Sequence, residues 1–131
     1  VRASDISAQA LAVAARNVAK HELGERVHLV AGDMLDPLDG RFDLICANLP
    51  YVNAATPLPA EVTTQPATAL YADEGGAALV RRLLEEAPAK LKPGGRILAE
   101  IDQSMIAALA PSNTRIHRDL GGHARVLETW S

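Results

Sequence analysis

Asn48, Leu49, Pro50 and Tyr51 follow directly on the largely apolar run Phe-Asp-Leu-Ile-Cys-Ala at 42–47. An asparagine at the exit of a buried strand is costly unless its polar groups are used. Pro50 pushes Leu49 into an extended conformation and so turns its carbonyl away from helical bonding. The Asn48 side-chain oxygen and the Leu49 carbonyl then converge as two acceptors. Such a pair suits a planar amino group, which offers two N–H donors, and Tyr51 offers a face for it to stack on. The structural alternative is a turn closed by an Asx hydrogen bond.

Two aspartates close other apolar stretches. Asp5 ends the opening stub, where a carboxylate can accept both hydroxyls of a ribose. Its alternative role is to join Ser7 in capping the helix that follows. Asp33 lies in Ala31-Gly32-Asp33-Met34. There a carboxylate could accept the exocyclic amine of an adenine while Met34 packs on the ring, or it could be a solvated turn residue.

The elements that must position these residues alternate between strand-like and helix-like periods. Residues 1–4 form a short apolar stub. Ser7 predicts a helix over 8–21, with Leu11, Ala14, Ala15 and Val18 on one face and Gly24 as its stop. Short strands are expected at 27–31 and 42–47. A Pro-rich irregular stretch over 48–73 carries Pro50, Pro57, Pro59 and Pro66, and long loops in small domains are usually functional. A helix is expected over 76–91, kinked at Pro88. Pro93-Gly94-Gly95 should turn the chain into a strand over 96–101. A short helix near 103–109 and a hairpin of strands 114–118 and 124–129 around Gly121-Gly122 complete the chain.

This alternation calls for an α/β domain: a doubly wound, Rossmann-like parallel sheet with helices on both faces and an antiparallel hairpin at its edge. Ligands bind such sheets outside the carboxyl ends of the strands. Those ends are occupied by Asp5, Asp33, Asn48 and 100–102.

Length and composition set the limits. The chain has 131 residues, 48% hydrophobic and 22% charged, which suits one globular domain over 1–131 and excludes disorder or a disulfide scaffold. Only Phe42, Tyr51, Tyr71 and Trp130 are aromatic, and the net charge is −3. Both features disfavour nucleic-acid binding, which needs stacking platforms and clustered basic residues. The lone Cys46 points to a reduced, cytoplasmic setting. No apolar stretch approaches the ~20 residues of a membrane span. The four histidines, His21, His28, His117 and His123, show no ligand-like clustering, so no metal is expected and a solvated or core role is expected for each.

At Asp5, Asp33 and Phe-Asp-Leu-Ile-Cys-Ala-Asn-Leu-Pro-Tyr the chain resembles class I S-adenosylmethionine-dependent methyltransferases of the Asn-Pro-Pro-Tyr type. Pro59-Ala-Glu-Val, Gln65-Pro-Ala-Thr-Ala-Leu70, Leu83-Leu-Glu-Glu-Ala-Pro88, Leu91-Lys-Pro-Gly-Gly95, Asp119-Leu-Gly-Gly and Arg125-Val narrow the likeness. Together they resemble the HemK/PrmC family, the glutamine methyltransferases of peptide chain release factors. The resemblance covers nearly the whole chain. It implies S-adenosylmethionine as cofactor, with Asp5 at the ribose, Asp33 and Met34 at the adenine, and Asn48 between cofactor and substrate. It further implies that Asn48, Leu49, Pro50 and Tyr51 orient a glutamine amide, and that the partner is the Gly-Gly-Gln loop of a release factor.

Two departures shape the expectation. Leu49 stands where the family usually has proline, and Asn-Leu-Pro-Tyr also resembles adenine dimethyltransferases of ribosomal RNA. An adenine-N6 methyltransferase acting on RNA or DNA, or a remnant that keeps the fold without catalysis, are therefore the alternatives. The family's Gly-x-Gly motif has no counterpart among the nine glycines. The chain reads as part of the catalytic domain, starting at the family's second strand. The isolated chain is accordingly expected to be inactive, to bind cofactor poorly and to self-associate through unpaired strand edges.

Overall fold

The computed structural model describes residues 1–50, 77–109 and 113–130. Tyr51 and the motifs at Pro59 and Gln65 lie outside the described residues. The chain divides into two compact units, Val1–Gly40 and Arg41–Ser131.

In the first unit, β1 (Arg2–Asp5) and β2 (His28–Ala31) run parallel, with Arg2 opposite His28 and Asp5 opposite Ala31. The crossover between them is α1 (Ala8–Lys20). It starts where expected because Ser7 is extended and its hydroxyl accepts the Ala10 N–H at 3.2 Å, filling one of the orphan donors of a helix start. Leu11, Ala14 and Val18 form its half-buried stripe, while Ala15 faces solvent. The stop also differs from expectation. Glu22, at φ 55°, takes the left-handed position, and Gly24 does not. The N–H of Leu23 donates to the Val18 carbonyl at 2.9 Å and that of Glu22 to the Ala19 carbonyl at 3.1 Å. These two bonds close a Schellman cap with glutamate where glycine is usual.

In the second unit, β3 (Phe42–Ala47) runs parallel to β4 (Leu91–Glu100) through α2 (Ala77–Lys90). A short turn of 3₁₀ helix (Gln103–Met105) and α3 (Ile106–Leu109) lead to β5 (Thr114–Arg118) and β6 (Ala124–Trp130). The sheet order is β3-β4-β6-β5, with β6 antiparallel to both neighbours. Val80, Leu83 and Ala87 of α2 are buried together with Leu91, Ile97, Ala99, Ile101 and Leu127, which forms this unit's core. Pro88 sits in the last turn of α2, and the helix continues to Lys90.

The expected turn at 93–95 is built into β4 instead. Leu91 pairs with Phe42 and Arg96 with Leu44, so residues 92–95 bulge opposite Asp43 alone. Gly94 adopts φ 74°. A Cβ on Gly95 would lie 2.9 Å from the Lys92 carbonyl oxygen and 3.0 Å from that of Phe42, so the bulge requires glycine.

Among the described residues the strands form a two-stranded and a four-stranded sheet. The β1–β2 and β3–β4 pairings described are parallel, and β6 pairs antiparallel with β4 and β5, as the expected C-terminal hairpin requires. The apolar run of β3 is also less buried than its composition implies. Ile45 is buried, but Leu44 is 49% exposed and Cys46 is exposed, because among the described residues that face carries no cover.

Candidate functional site

The strand-end residues fall into one set per unit. In the first unit, Asp5 closes β1 and Asp33 follows β2 by two residues, so two carboxylates stand at the same end of adjacent parallel strands. Asp5 Oδ1 accepts the Ser7 N–H at 2.7 Å, which bears out its capping role. A carboxylate keeps further acceptor sites after one such bond. The loop beyond β2 is tightly held. Gly32 has φ 156° and packs so closely on Pro37 that a Cβ there would lie 2.7 Å from Pro37 Cγ. Met34 is left-handed at φ 45°, and its carbonyl accepts the Ser4 hydroxyl at 2.6 Å.

In the second unit, the paired part of β3 ends with Ala47 opposite Ala99, and Asn48 follows immediately. Asn48 is exposed, while Leu49 and Pro50 are half-buried. The neighbouring strand end holds half-buried Glu100 and then Asp102. Asp102 is a cap: its Oδ1 accepts the Ser104 N–H at 2.9 Å and the Ser104 hydroxyl at 2.6 Å. The Ser104 side-chain bond is the main reason its carboxyl lies below the ordinary carboxylate range.

One polar cluster escaped the sequence reading. Glu128 in β6 is only 4% exposed. Its carboxylate meets Arg96 Nη1 at 2.8 Å, His117 Nε2 at 2.7 Å and Arg115 Nη1 at 3.8 Å. The His117 hydrogen bond, followed by that from Arg96, lowers its carboxyl from the ordinary value of 4.5. Of the two roles expected for it, His117 takes the solvated one, being exposed while it pairs with Glu128. Strand alternation alone could not reveal the cluster, since its four members come from three strands. A concavity of about 440 Å³ includes Leu84, Pro88, Leu91 and Trp130 in its lining. None of the strand-end residues borders it.

The chain as a whole is similar to known proteins. The model of the methyltransferase small domain family matches residues 1–75. Over 104 residues the chain is 48% identical to the ribosomal protein uL3 glutamine methyltransferase of Bradyrhizobium diazoefficiens, covering 77% of this chain and 33% of that protein. Over 133 residues it is 38% identical to the release factor glutamine methyltransferase of Deinococcus radiodurans, covering 95% of this chain and 47% of that protein. The chain therefore spans between a third and a half of these relatives. In fold it is similar to a methyltransferase from Pyrococcus furiosus, with a TM-score of 0.72 at 20% identity over 99% of this chain and 61% of that one. With an α/β framework of the class I methyltransferase type and a family match across more than half of its length, the chain belongs to the methyltransferase small domain family.

Proposed function

We propose that this chain is part of the catalytic domain of a protein glutamine methyltransferase, which moves a methyl group from S-adenosylmethionine to the side-chain amide nitrogen of glutamine. The observation that carries this reading is the exit of β3, where Asn48 follows the last paired residue and Pro50 restricts Leu49. The family match and the glutamine-methylating relatives support it.

The residues of the first unit fit the cofactor. Asp5 and Asp33 offer two carboxylates from adjacent strand ends, one suited to a ribose diol and the other to an adenine amine. Met34 would pack on the adenine. Bound S-adenosylmethionine supplies an electrophilic methyl group on a sulfonium sulfur.

The residues of the second unit act on the amide. Asn48 Oδ1 and the Leu49 carbonyl accept its two N–H groups and so aim the nitrogen. Pro50 restricts the Leu49 backbone, and Tyr51 would stack on the amide plane. Positive charge that developed on the amide nitrogen as it took up the methyl group would be stabilised by the two acceptors. One amide proton then leaves to solvent. Catalysis here is positioning and electrostatics.

The substrate is a protein of translation: a release factor presenting its Gly-Gly-Gln loop, or ribosomal protein uL3. Either places the enzyme in the cytoplasm, and among the described residues no helix is long and apolar enough to cross a membrane. Because the chain spans less than half of these relatives, the 131 residues alone are expected to turn over slowly or not at all.

The test offers methyl-labelled S-adenosylmethionine to the full-length protein with release factor, uL3 and total RNA in parallel. Label in a glutamine of either protein supports the reading. Label in RNA alone replaces it with an adenine methyltransferase.

A further inference from the structure

β3 and β4 run parallel, with Cys46 opposite Leu98 and Ala47 opposite Ala99. The next residue on each strand is Asn48 and Glu100. Adjacent strands are about 4.8 Å apart, within the combined reach of an asparagine and a glutamate. Side chains alternate along both strands. Ile45, Ile97 and Ala99 point into the core, whereas Leu44, Cys46 and Arg96 are exposed. Asn48 and Glu100 continue the open face.

An asparagine amide carries an acceptor on one side and two donors on the other, and either orientation fits the same volume. Only one presents oxygen to a substrate N–H. The reverse would set donor against donor. Something must therefore fix the amide, and a carboxylate on the adjacent strand suits that task, because it accepts and cannot donate. We infer that Glu100 is a positioning residue that receives the Asn48 Nδ2–H and thereby turns Asn48 Oδ1 toward the substrate amide. Glu100 already has another polar contact. A carboxylate has about four acceptor sites, which leaves room for Asn48. The inference rests on the proposed role of Asn48, but its contact can be tested without any methyl transfer.

The primary readout is the ¹⁵N spectrum of the 131-residue chain, with the Asn48 side-chain pair assigned from its loss in Asn48→Ala. Two internal controls exist: Asn113 Nδ2 donates to the Trp130 carbonyl, and Asn17 is exposed on α1. The Asn48 pair should exchange slowly with solvent, like that of Asn113, and should become as fast as that of Asn17 in Glu100→Ala. A second measurement needs no loss of Glu100. Asn48→Asp places two carboxylates side by side, so it should be less stable than Asn48→Ala, and raised salt should narrow the gap. In the full-length enzyme, Glu100→Ala should lower kcat by about 10- to 100-fold, the scale for a supporting partner of a working group, with cofactor KM unchanged. Fast exchange of the Asn48 pair in the parent chain, or equal stability of the two Asn48 variants, overturns the contact. A protected Asn48 in a protein that methylates no glutamine leaves the contact standing and removes the proposed reaction.

Discussion

His117 Nε2 lies 2.7 Å from Glu128 Oε2, joining an exposed edge strand to a carboxylate that is 4% exposed. The same carboxylate binds Arg96 on the opposite neighbour, so Glu128 ties β5, β6 and β4 together. Its carboxyl is held below 4.5 in the folded state by His117 first and Arg96 next. A depressed folded value means that the carboxylate's contribution to stability is complete above the unfolded value and is lost as pH falls through the folded one. Glu128→Gln should therefore lower the Tm at neutral pH, and its deficit should shrink steadily below pH 4.5. Thermal melts from pH 7 to pH 3 check this. A deficit that stays constant over that range rules out the carboxylate as its source.

Glu22 gives a gain instead. A left-handed conformation costs an L-residue roughly 1–2 kcal/mol, and Glu22 holds φ 55° inside two cap hydrogen bonds. Glycine removes that cost but adds about 0.4–1 kcal/mol of unfolded-state freedom. Glu22→Gly should thus stabilise the protein by up to about 1.6 kcal/mol in denaturant unfolding. A loss of stability would mean that the glutamate side chain contributes more than its backbone costs.

Local chemistry explains how much of this fold was legible. Ser7 announced the start of α1, and the alternation over 114–118 and 124–129 announced the hairpin, because neighbours in sequence determine both. Gly24 was misleading, since a glycine stop is read from composition whereas the cap at Glu22 is set by which carbonyls the returning chain reaches. The Gly94-Gly95 signal marked a real irregularity, but only the pairing with Phe42 makes it a bulge within β4. The sequence located Asn48, Asp5 and Asp33 at strand ends, where the structure has them. Glu100 and Glu128 gained meaning only from cross-strand register.

Asp5 and Ser7 divide capping from cofactor binding. Ser7→Ala removes the acceptor for the Ala10 N–H and should cost about 0.5–2 kcal/mol of stability, with cofactor affinity unchanged. Asp5→Asn keeps an oxygen for the Ser7 N–H but loses the charge proposed to hold the ribose. Hydrogen bonds to charged groups are worth about 1.5–3 kcal/mol, so S-adenosylmethionine affinity should fall by about 10- to 100-fold. Calorimetric titration and denaturant unfolding of both variants of the full-length protein read the two effects. Unchanged affinity in Asp5→Asn would leave Asp5 as a cap alone.

Asn48→Ala removes one of the two proposed acceptors. Losing one preorganised contact of this type costs about 100-fold or more in turnover. Cofactor affinity should barely change, since Asn48 is assigned to the amide. Single-turnover methyl transfer by the full-length protein measures the first effect and calorimetry the second. A drop in turnover of less than about tenfold removes Asn48 from the mechanism.

β3 has a free edge among the described residues: its ladder is paired with β4 on one side only, and Leu44 is 49% exposed beside exposed Cys46. Open edges of this kind recruit further strands unless charge, proline or a bulge blunts them. β5, at the far edge, is blunted by Arg115, His117 and Arg118. β3 carries only Asp43, whose carboxylate is 2.8 Å from Lys92 Nζ, so its charge is largely offset. The 131-residue chain should therefore self-associate as its concentration rises, by edge pairing rather than by a disulfide. Leu44→Lys should reverse this at little cost to the fold, because exposed substitutions usually change stability by about 0.5 kcal/mol or less. Sedimentation velocity over a concentration series, with reductant present, compares the two proteins. If the parent chain stays monomeric throughout, or if Leu44→Lys associates as strongly, the β3 edge is not the contact.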